Sequence, residues 1–390
     1  MKNFILKKKI LGICITEGSR SLADISRELN SSIPTITKLV GELIDEGYLE
    51  DMGKIDTTGG RRPSIYGLNP SAGFFTGIDI NRDGVRISVT DFRGALVDCV
   101  TYPEFILADT EESLKELCRM TAEYVSTIGI DPEAILAYGI SLSGRVNHLT
   151  GESLCHQMAE GGNIRELLEK ELNRPVFVEN NSRAMTYGEF LNGQHGSRKD
   201  LLFLNVSWGL GMGMIIDGKL TFGKSGFSGE IGHFPILDNN HICQCGKIGC
   251  LETGASCSAL QRMITEKLNA GRSSILSEKF NRLRQIALKD IMAAIREGDM
   301  LAIETVEHIG HTLGRAVAGL INLFNPELVV IGGTLSSAAE YLRLPVMTAI
   351  QKYTLNIISR ETEIKFSDLG EQAGAKGACM IARSRLLDII

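Results

Sequence analysis

No apolar run in the 390-residue chain approaches the roughly 18 residues that a membrane-spanning helix needs. No membrane partner is therefore expected. Nor does the N-terminal stretch read as a secretory leader: Met1-Lys2-Asn3-Phe4-Ile5-Leu6-Lys7-Lys8-Lys9 carries its lysines after a short apolar patch, with no small-residue cleavage site. A disulfide framework is lacking too. Nine cysteines are an odd number, and six of them (Cys14, Cys99, Cys118, Cys155, Cys257, Cys379) are scattered. That usage fits a reducing, cytoplasmic setting. Surplus positive charge is absent: the net charge of −6 gives the whole chain no basic character of the kind nucleic-acid binding needs. What remains is ordinary in bulk, 43% hydrophobic and 23% charged. The length suggests two or three domains.

Charge is unevenly spread. Residues 1–70 hold ten Lys and Arg against nine Asp and Glu, a balance of +1 that leaves −7 for the rest. Within them Phe4, Ile5, Ile10, Leu11, Cys14 and Ile15 recur at helical spacing up to Gly18. Ser21, with Asp24 three residues on, can cap a second helix bearing Leu22, Ile25 and Leu29. Asn30-Ser31-Ser32 reads as a turn and cap. Pro34 is tolerated in the first turn of a third helix, whose buried face is Ile36, Leu39, Val40 and Leu43. Two short helices joined by a tight polar turn are a helix-turn-helix, and the start of the second would enter the major groove with Ser32, Thr35, Thr37 and Lys38. Short strands at 48–50 and 64–68 flank the basic tip Asp56-Thr57-Thr58-Gly59-Gly60-Arg61-Arg62-Pro63, a wing whose Arg61 and Arg62 reach phosphates or the minor groove. A small helical domain for protein contacts is the plainer alternative; the wing favours DNA. Asn69-Pro70-Ser71-Ala72-Gly73 then reads as a linker.

The densest chemistry lies further on. Gly229-Glu230-Ile231-Gly232-His233 is followed by Cys243-Gln244-Cys245-Gly246-Lys247-Ile248-Gly249-Cys250-Leu251-Glu252. His233, Cys243, Cys245 and Cys250 are a soft donor set suited to a closed, tetrahedral zinc site. Glycines at 246 and 249 allow tight turns around an ion. Glu230 and Glu252 are left over, free to face something else. Buried, unliganded thiols would be the bland alternative.

Glu-x-Gly-His followed by Cys-x-Cys-Gly-x-x-Gly-Cys-x-Glu resembles the signature of the ROK family, which includes repressors, reading frames of unknown role and sugar kinases. The resemblance runs along essentially the whole chain and leans to the xylose and N-acetylglucosamine type of repressor. It implies structural zinc on His233, Cys243, Cys245 and Cys250, and sugar contacts from Glu230, His233 and Glu252. The segment 1–70 is similar to the winged helix of the family's repressors. The body resembles the family's actin-like ATPase fold, ribonuclease H-like and two-lobed. Strands expected at 74–80, 85–91, 136–142, 175–179, 201–206, 212–216 and 328–332 alternate with helices near 111–127, 255–269, 284–295 and 299–323. The expected domains are 1–70, 71–195 completed by a C-terminal helix from about 374, and 196–373. Asn325-Pro326-Glu327, Gly332-Gly333 and Gly374-Ala375-Lys376-Gly377-Ala378 look like nucleotide-side landmarks.

The kinase half of the resemblance fails in particular places. A phosphate loop of the form Asp-x-Gly-Gly-Thr is replaced by Asp79-Ile80-Asn81-Arg82-Asp83, without the glycines whose backbone N–H groups would approach phosphate. Ser207-Trp208-Gly209-Leu210-Gly211-Met212-Gly213 keeps its glycines but sets Trp208 where the family's kinases place threonine. In Glu179-Asn180-Asn181-Ser182-Arg183, Asn181 stands where those kinases carry the general-base aspartate. An amide cannot accept the sugar's proton, so roughly 10²–10⁴ in rate is forfeited. Arg183 departs from the pattern as well. Asn180 is kept and can still meet a sugar, and Gly144, in Ser141-Leu142-Ser143-Gly144-Arg145, resembles the family's sugar-side turn.

Together these features predict a sugar-responsive DNA-binding regulator, a repressor of carbohydrate-utilisation genes, with a catalytically degenerate sugar-kinase-like body and no enzymatic activity. Its expected partners are double-stranded operator DNA, a small sugar or sugar derivative, and a second or fourth copy of itself. Zinc is the expected cofactor, and the eroded phosphate loop argues against ATP. The competing reading is an ATP-dependent sugar kinase carrying a DNA-binding domain.

Overall fold

The computed structural model describes residues 2–54, 63–155, 163–192 and 198–390. It divides into two compact units, Met1–Ser197 with Gln372–Ile390, and Arg198–Glu371.

The first unit opens with helix α1 (Lys2–Glu17), a short strand β1 (Arg20–Ser21), helices α2 (Leu22–Glu28) and α3 (Ile33–Asp45), and the hairpin of β2 (Leu49–Lys54) and β3 (Ser64–Leu68). Local chemistry sets these bounds. The Ser21 hydroxyl accepts from the Asp24 amide and donates to the Asp24 carboxylate, a reciprocal cap on α2. Ser32 caps α3, accepting from the Thr35 amide, with Pro34 in the first turn where no backbone donor is missed. The sheet order is β1-β3-β2, antiparallel throughout. Of the basic tip expected at 56–63, residues 56–62, including Arg61 and Arg62, lie outside the described residues.

The segment read as a linker is an ordered connection. Asn69 caps a short 3-10 turn over Pro70–Ala72, and its side-chain amide donates to the Gly47 carbonyl at 2.8 Å. Its backbone N–H bonds the Tyr48 carbonyl. Pro, Ser and Gly in series suggested flexibility, but the long-range partners of Asn69 decide otherwise.

A five-stranded sheet follows, built from β4 (Phe74–Asn81), β5 (Gly84–Asp91), β6 (Leu96–Tyr102), β7 (Ile135–Leu142) and β8 (Val176–Asn180) in the order β6-β5-β4-β7-β8. β4, β7 and β8 run parallel, and β5 is antiparallel to both its neighbours. One face carries α4 (Glu111–Thr127) and α5 (Ile164–Leu172) over an aliphatic core that includes Ile78, Ile87, Leu117, Ile140 and Leu168. The other face receives α6 (Asn181–Leu191) and the C-terminal helix Ala373–Leu386. A Cβ on Gly77 or Gly139 would strike the backbone of Ala375 or Ala378, and one on Gly377 would strike Ala184. The small residues of Gly374–Ala378, read from the sequence as nucleotide-side landmarks, are thus occupied in letting this helix press against β4, β7 and α6. A third cluster joins Ile10, Ile25, Ile36, Leu39 and Leu43 of the N-terminal helices to Phe75, Phe92, Cys379 and Ala382.

The second unit repeats the pattern. β9 (Leu201–Val206), β10 (Leu210–Ile216), β11 (Lys219–Leu220), β12 (Leu328–Gly332) and β13 (Glu363–Phe366) are ordered β11-β10-β9-β12-β13, with β9, β12 and β13 parallel and β10 antiparallel to its neighbours. Helices α7 (Cys257–Asn269), α8 (Ser277–Leu283), α9 (Leu288–Arg296), α10 (Met300–Phe324) and α11 (Ala339–Tyr353) complete its core. The helix expected at 284–295 starts only at Leu288, because Arg284 adopts a left-handed φ of 56° and ends α8. Two successive α/β units of this kind carry the actin-like architecture.

Candidate functional site

In the second unit, Gly229–His233 lies flush along the start of β10. Met212 N–H bonds the Gly229 carbonyl at 3.1 Å, and a Cβ on Gly229 or Gly232 would collide with the Met212 or Leu210 carbonyl. Those glycines therefore set how closely the turn approaches the strand. Ile231–His233 forms a single 3-10 turn with Glu230 at its head. The following loop returns through bridges between Pro235 and Cys250 and between Ile242 and Ile248. Gly246 and Gly249 have φ of 80° and 76°, the left-handed conformation that glycine adopts most readily.

The loop brings four soft ligand atoms together. The donor atoms of His233, Cys243, Cys245 and Cys250 all lie within 4.8 Å of one another. His233 Nδ1 is 3.5 Å from Cys243 Sγ, and the Sγ atoms of Cys245 and Cys250 are 3.6 Å apart. Burial pushes the Cys243 and Cys250 thiols upward, so thiolates here call for a cation. The donor set fits a metal ion, and these four residues could hold one.

The second nitrogen of the same imidazole looks elsewhere. His233 Nε2 lies 3.7 Å from Glu230 Oε2. Glu252, on the next 3-10 turn (Leu251–Thr253), accepts from the Leu210 backbone N–H at 3.0 Å through Oε2. Its Oε1 is 3.7 Å from Cys243 Sγ. A Cβ on Gly209 would sit 2.6 Å from Glu252 Oε2, so the glycine of the Trp208 loop makes room for that carboxylate. Glu230, His233 and Glu252 are thereby gathered beside the cysteine knot.

The other expected residues lie in the first unit. Asn180 ends β8 and caps α6: its Oδ1 accepts from the Arg183 amide at 3.2 Å, and its Nδ2 donates to the Gly144 carbonyl at 2.7 Å. Asn180 and Gly144 are therefore one linked turn, and much of the Asn180 amide is committed to holding it. Gly144 has φ 92°, and a Cβ there would meet Cys155 Sγ. Asn181 Nδ2 donates to Ser143 Oγ at 3.2 Å, while Oδ1 accepts from the Ser182 amide at 2.8 Å.

The β4–β5 hairpin, where the sequence resemblance set an eroded phosphate loop, is closed by its own side chains. Asn81 Oδ1 accepts from the Asp83 amide and its Nδ2 donates to Asp79. Asp79 is fully buried, accepts from Ser141 Oγ at 2.6 Å, and leaves no room for a Cβ on Gly374. Burial raises its pKa above the usual carboxylate value.

One group escaped the sequence reading. The Glu179 carboxylate is fully buried and shared by two guanidiniums, Arg183 at 2.6 Å and Arg385 at 2.7 Å. It also accepts from the Asn180 backbone N–H at 2.8 Å. The departure at Arg183 is thus the partner of a buried acid. The four-residue spacing of Glu179 and Arg183 was the only available hint. Ser32, Thr35, Thr37 and Lys38 all sit exposed at the start of α3.

A sequence model of the ROK family matches residues 75–385. The chain is similar to the xylose repressor of Caldicellulosiruptor bescii, 31% identical over 373 residues that span 94% of this chain and 92% of that protein. It is also similar to the crystal structure of a ROK family transcriptional regulator, a homologue of the E. coli MLC protein, with TM-score 0.80 and 28% identity over 99% of this chain and 97% of that one. A ROK family glucokinase from Streptomyces griseus, solved with glucose and AMPPNP, matches with TM-score 0.68 and 26% identity, covering 80% of this chain and all of the kinase. Family match, whole-length relatives and shared architecture agree: the chain belongs to the ROK family.

Proposed function

We propose that this protein is a sugar-responsive transcriptional repressor of carbohydrate-utilisation genes. In this reading the N-terminal helices and hairpin are a winged helix-turn-helix that binds operator DNA, and the body senses a sugar without phosphorylating it. The observation that carries it is a selective loss. Glu230, His233 and Glu252 are gathered beside the cysteine loop, whereas the 79–84 hairpin is closed by side chains and Asn181 is, on the sequence resemblance, an amide where a base is expected. A set of polar groups kept without the chemistry suits a sensor.

Carboxylates of Glu230 and Glu252 can accept from sugar hydroxyls, and His233 Nε2 can donate to one. His233, Cys243, Cys245 and Cys250 would hold zinc, which supplies a structural brace: with Nδ1 committed to the metal, the proton is left on Nε2. Asn180 and Gly144 would meet the sugar from their own turn. On the DNA side, Thr35, Thr37 and Lys38 are placed for the major groove, with Arg61 and Arg62 as wing contacts. Two heads on a palindromic operator imply a homodimer or a dimer of dimers.

Titration calorimetry of D-xylose, D-glucose and N-acetyl-D-glucosamine, coupled with operator binding by fluorescence anisotropy on a duplex selected from a random library, tests the reading. A sugar that binds and changes operator affinity is expected. Steady ATP-dependent turnover of any of the three would overturn it in favour of a kinase, and indifference of DNA binding to every sugar would sink the sensor.

A further inference from the structure

Two arginines of the C-terminal helix stand two residues apart, about 200° around its axis, and so point to opposite sides. Arg383 is buried and Arg385 is half-buried, and each is tied to a different part of the first unit. Arg385 donates to the His148 carbonyl and to Glu179 Oε2. Glu179 in turn accepts from the Asn180 backbone N–H, and the Asn180 side chain donates to the Gly144 carbonyl. Arg385 is therefore one side chain removed from the proposed sugar turn.

Arg383 faces the other way and donates to the carbonyls of Phe92 and Arg93. Arg93 donates to the Leu68 carbonyl at 2.9 Å and pairs with Glu50, on the two long strands of the N-terminal hairpin. The Phe92 ring lies 5.6 Å from that of Tyr48, just before the first of those strands. Beyond the helix, Asp388 pairs with Lys8 on α1, and Ile389 packs against the cluster that holds Ile10 and Leu11 of the same helix.

Stability alone gives no reason for this arrangement. A buried guanidinium is costly unless fully paired, and apolar residues of similar volume often serve as well or better. Among the described residues, the buried Nε of Arg383 has no hydrogen-bond partner. What the pair provides is position: a rigid helix clamped at one side to the sugar turn and at the other to the N-terminal helices and hairpin.

We propose that the C-terminal helix is the coupling element of this regulator, with Arg385 as the positioning residue that makes DNA affinity depend on the Asn180–Gly144 turn. The proposal rests on the sugar-sensing reading above. Sugar that draws on this turn shifts the hold of Glu179 on Arg385, and the helix carries the shift to the Arg383 carbonyls and the Lys8 contact. Contiguity only nominates such a route; a measured coupling decides it.

The test uses the full chain and the selected operator duplex, with the three sugars above as probes. The quantity read is the ratio of operator Kd with and without sugar, expected to be about 5–150-fold for the wild type. In Arg385→Met the ratio should fall to within about twofold of unity, with sugar-free operator affinity and sugar affinity each within about threefold of wild type. Arg385→Lys should restore part of the ratio. A purely structural role would lower the melting temperature and leave the ratio intact, and that result overturns the proposal. Should Arg385→Met not fold, a chain ending at Leu387 removes the Asp388 pair with Lys8 and the packing of Ile389 on α1; a wild-type ratio there is equally fatal.

Coupling is reciprocal, so a second arm needs no sugar. Saturating operator DNA should change amide hydrogen exchange at 141–146 and 179–183 in the wild type and not in Arg385→Met. If none of the three sugars binds, the functional reading fails while this arm still decides the coupling. No DNA-induced change at those segments in the wild type overturns it.

Discussion

Asn181 Nδ2 reaches the Ser143 hydroxyl across 3.2 Å. In the proposed reading Asn181 takes the place of a kinase's base, and its side-chain amide serves as a hydrogen-bond donor to a neighbouring turn. Restoring the acid is therefore a clean question. The Asn181→Asp protein keeps the acceptor that receives the Ser182 amide, and a carboxylate is welcome in the first turn of α6. We expect no ATP-dependent phosphorylation of xylose, glucose or N-acetylglucosamine by either form in a coupled ADP assay. In the proposed reading the 79–84 hairpin, closed by Asn81, offers no phosphate site whatever stands at 181. A rise of about 10² or more in the variant would mean that the base alone was missing.

The cysteine loop should report on metal and sugar together. His233→Ala removes a ligand atom and the Nε2 that faces Glu230, so zinc content by plasma emission should fall from about one per chain, and sugar affinity should fall with it. Cys245→Ser removes a ligand without touching Glu230 or His233, and should lose zinc with a smaller loss of sugar affinity. Equal losses in both would show that His233 acts only through the metal.

Asp79 gives the protein a pH dependence of known sign. Its pKa in the folded state is raised by burial, so between about pH 4, where a free aspartate titrates, and the raised value the folded state holds the extra proton. Its contribution is therefore fully present at low pH and declines as pH climbs through that window. Asp79→Asn keeps an acceptor for Ser141 and cannot titrate. Urea midpoints at pH 4 and pH 7 should show the variant gaining on the wild type at the higher pH. Parallel profiles would mean that the acid stays ionised when buried.

On the DNA side, Lys38 is an exposed residue at the start of α3, weakly paired to Glu42 at 3.9 Å. A phosphate contact would make Lys38→Ala reduce the slope of log affinity against log salt by about 1, with similar loss on selected and unrelated duplexes. Thr35→Ala should instead narrow the gap between selected and unrelated DNA. Anisotropy titrations at four salt concentrations distinguish the two.

Much of this was legible where the signal is local. Ser21 with Asp24, Ser32 with Pro34, and the left-handed glycines 246 and 249 each speak for their own turn. The knot of His233 and three cysteines is legible for the same reason, since its ligands fall within eighteen residues of sequence. What was missed depends on partners far along the chain. Glu179 finds Arg385 some two hundred residues away, and Asn69 turns an expected linker into a fixed joint through Gly47. Gly374 and Gly377 announce small side chains, but nothing in the sequence says whether a nucleotide or a neighbouring strand needs the room. Burial of charge is a property of the assembled unit, and periodicity is blind to it.

The cluster that joins Ile10, Ile36 and Leu39 to Phe75, Phe92, Cys379 and Ala382 has a bearing on how such proteins can be recombined. A segment whose aliphatic interior is finished by residues from the far end of the chain is not a detachable cassette. Residues 1–70 grafted onto an unrelated sensor would bare apolar surface wherever those neighbours had stood. New specificities in this lineage are thus more accessible by changing side chains within the shared frame than by exchanging heads between frames.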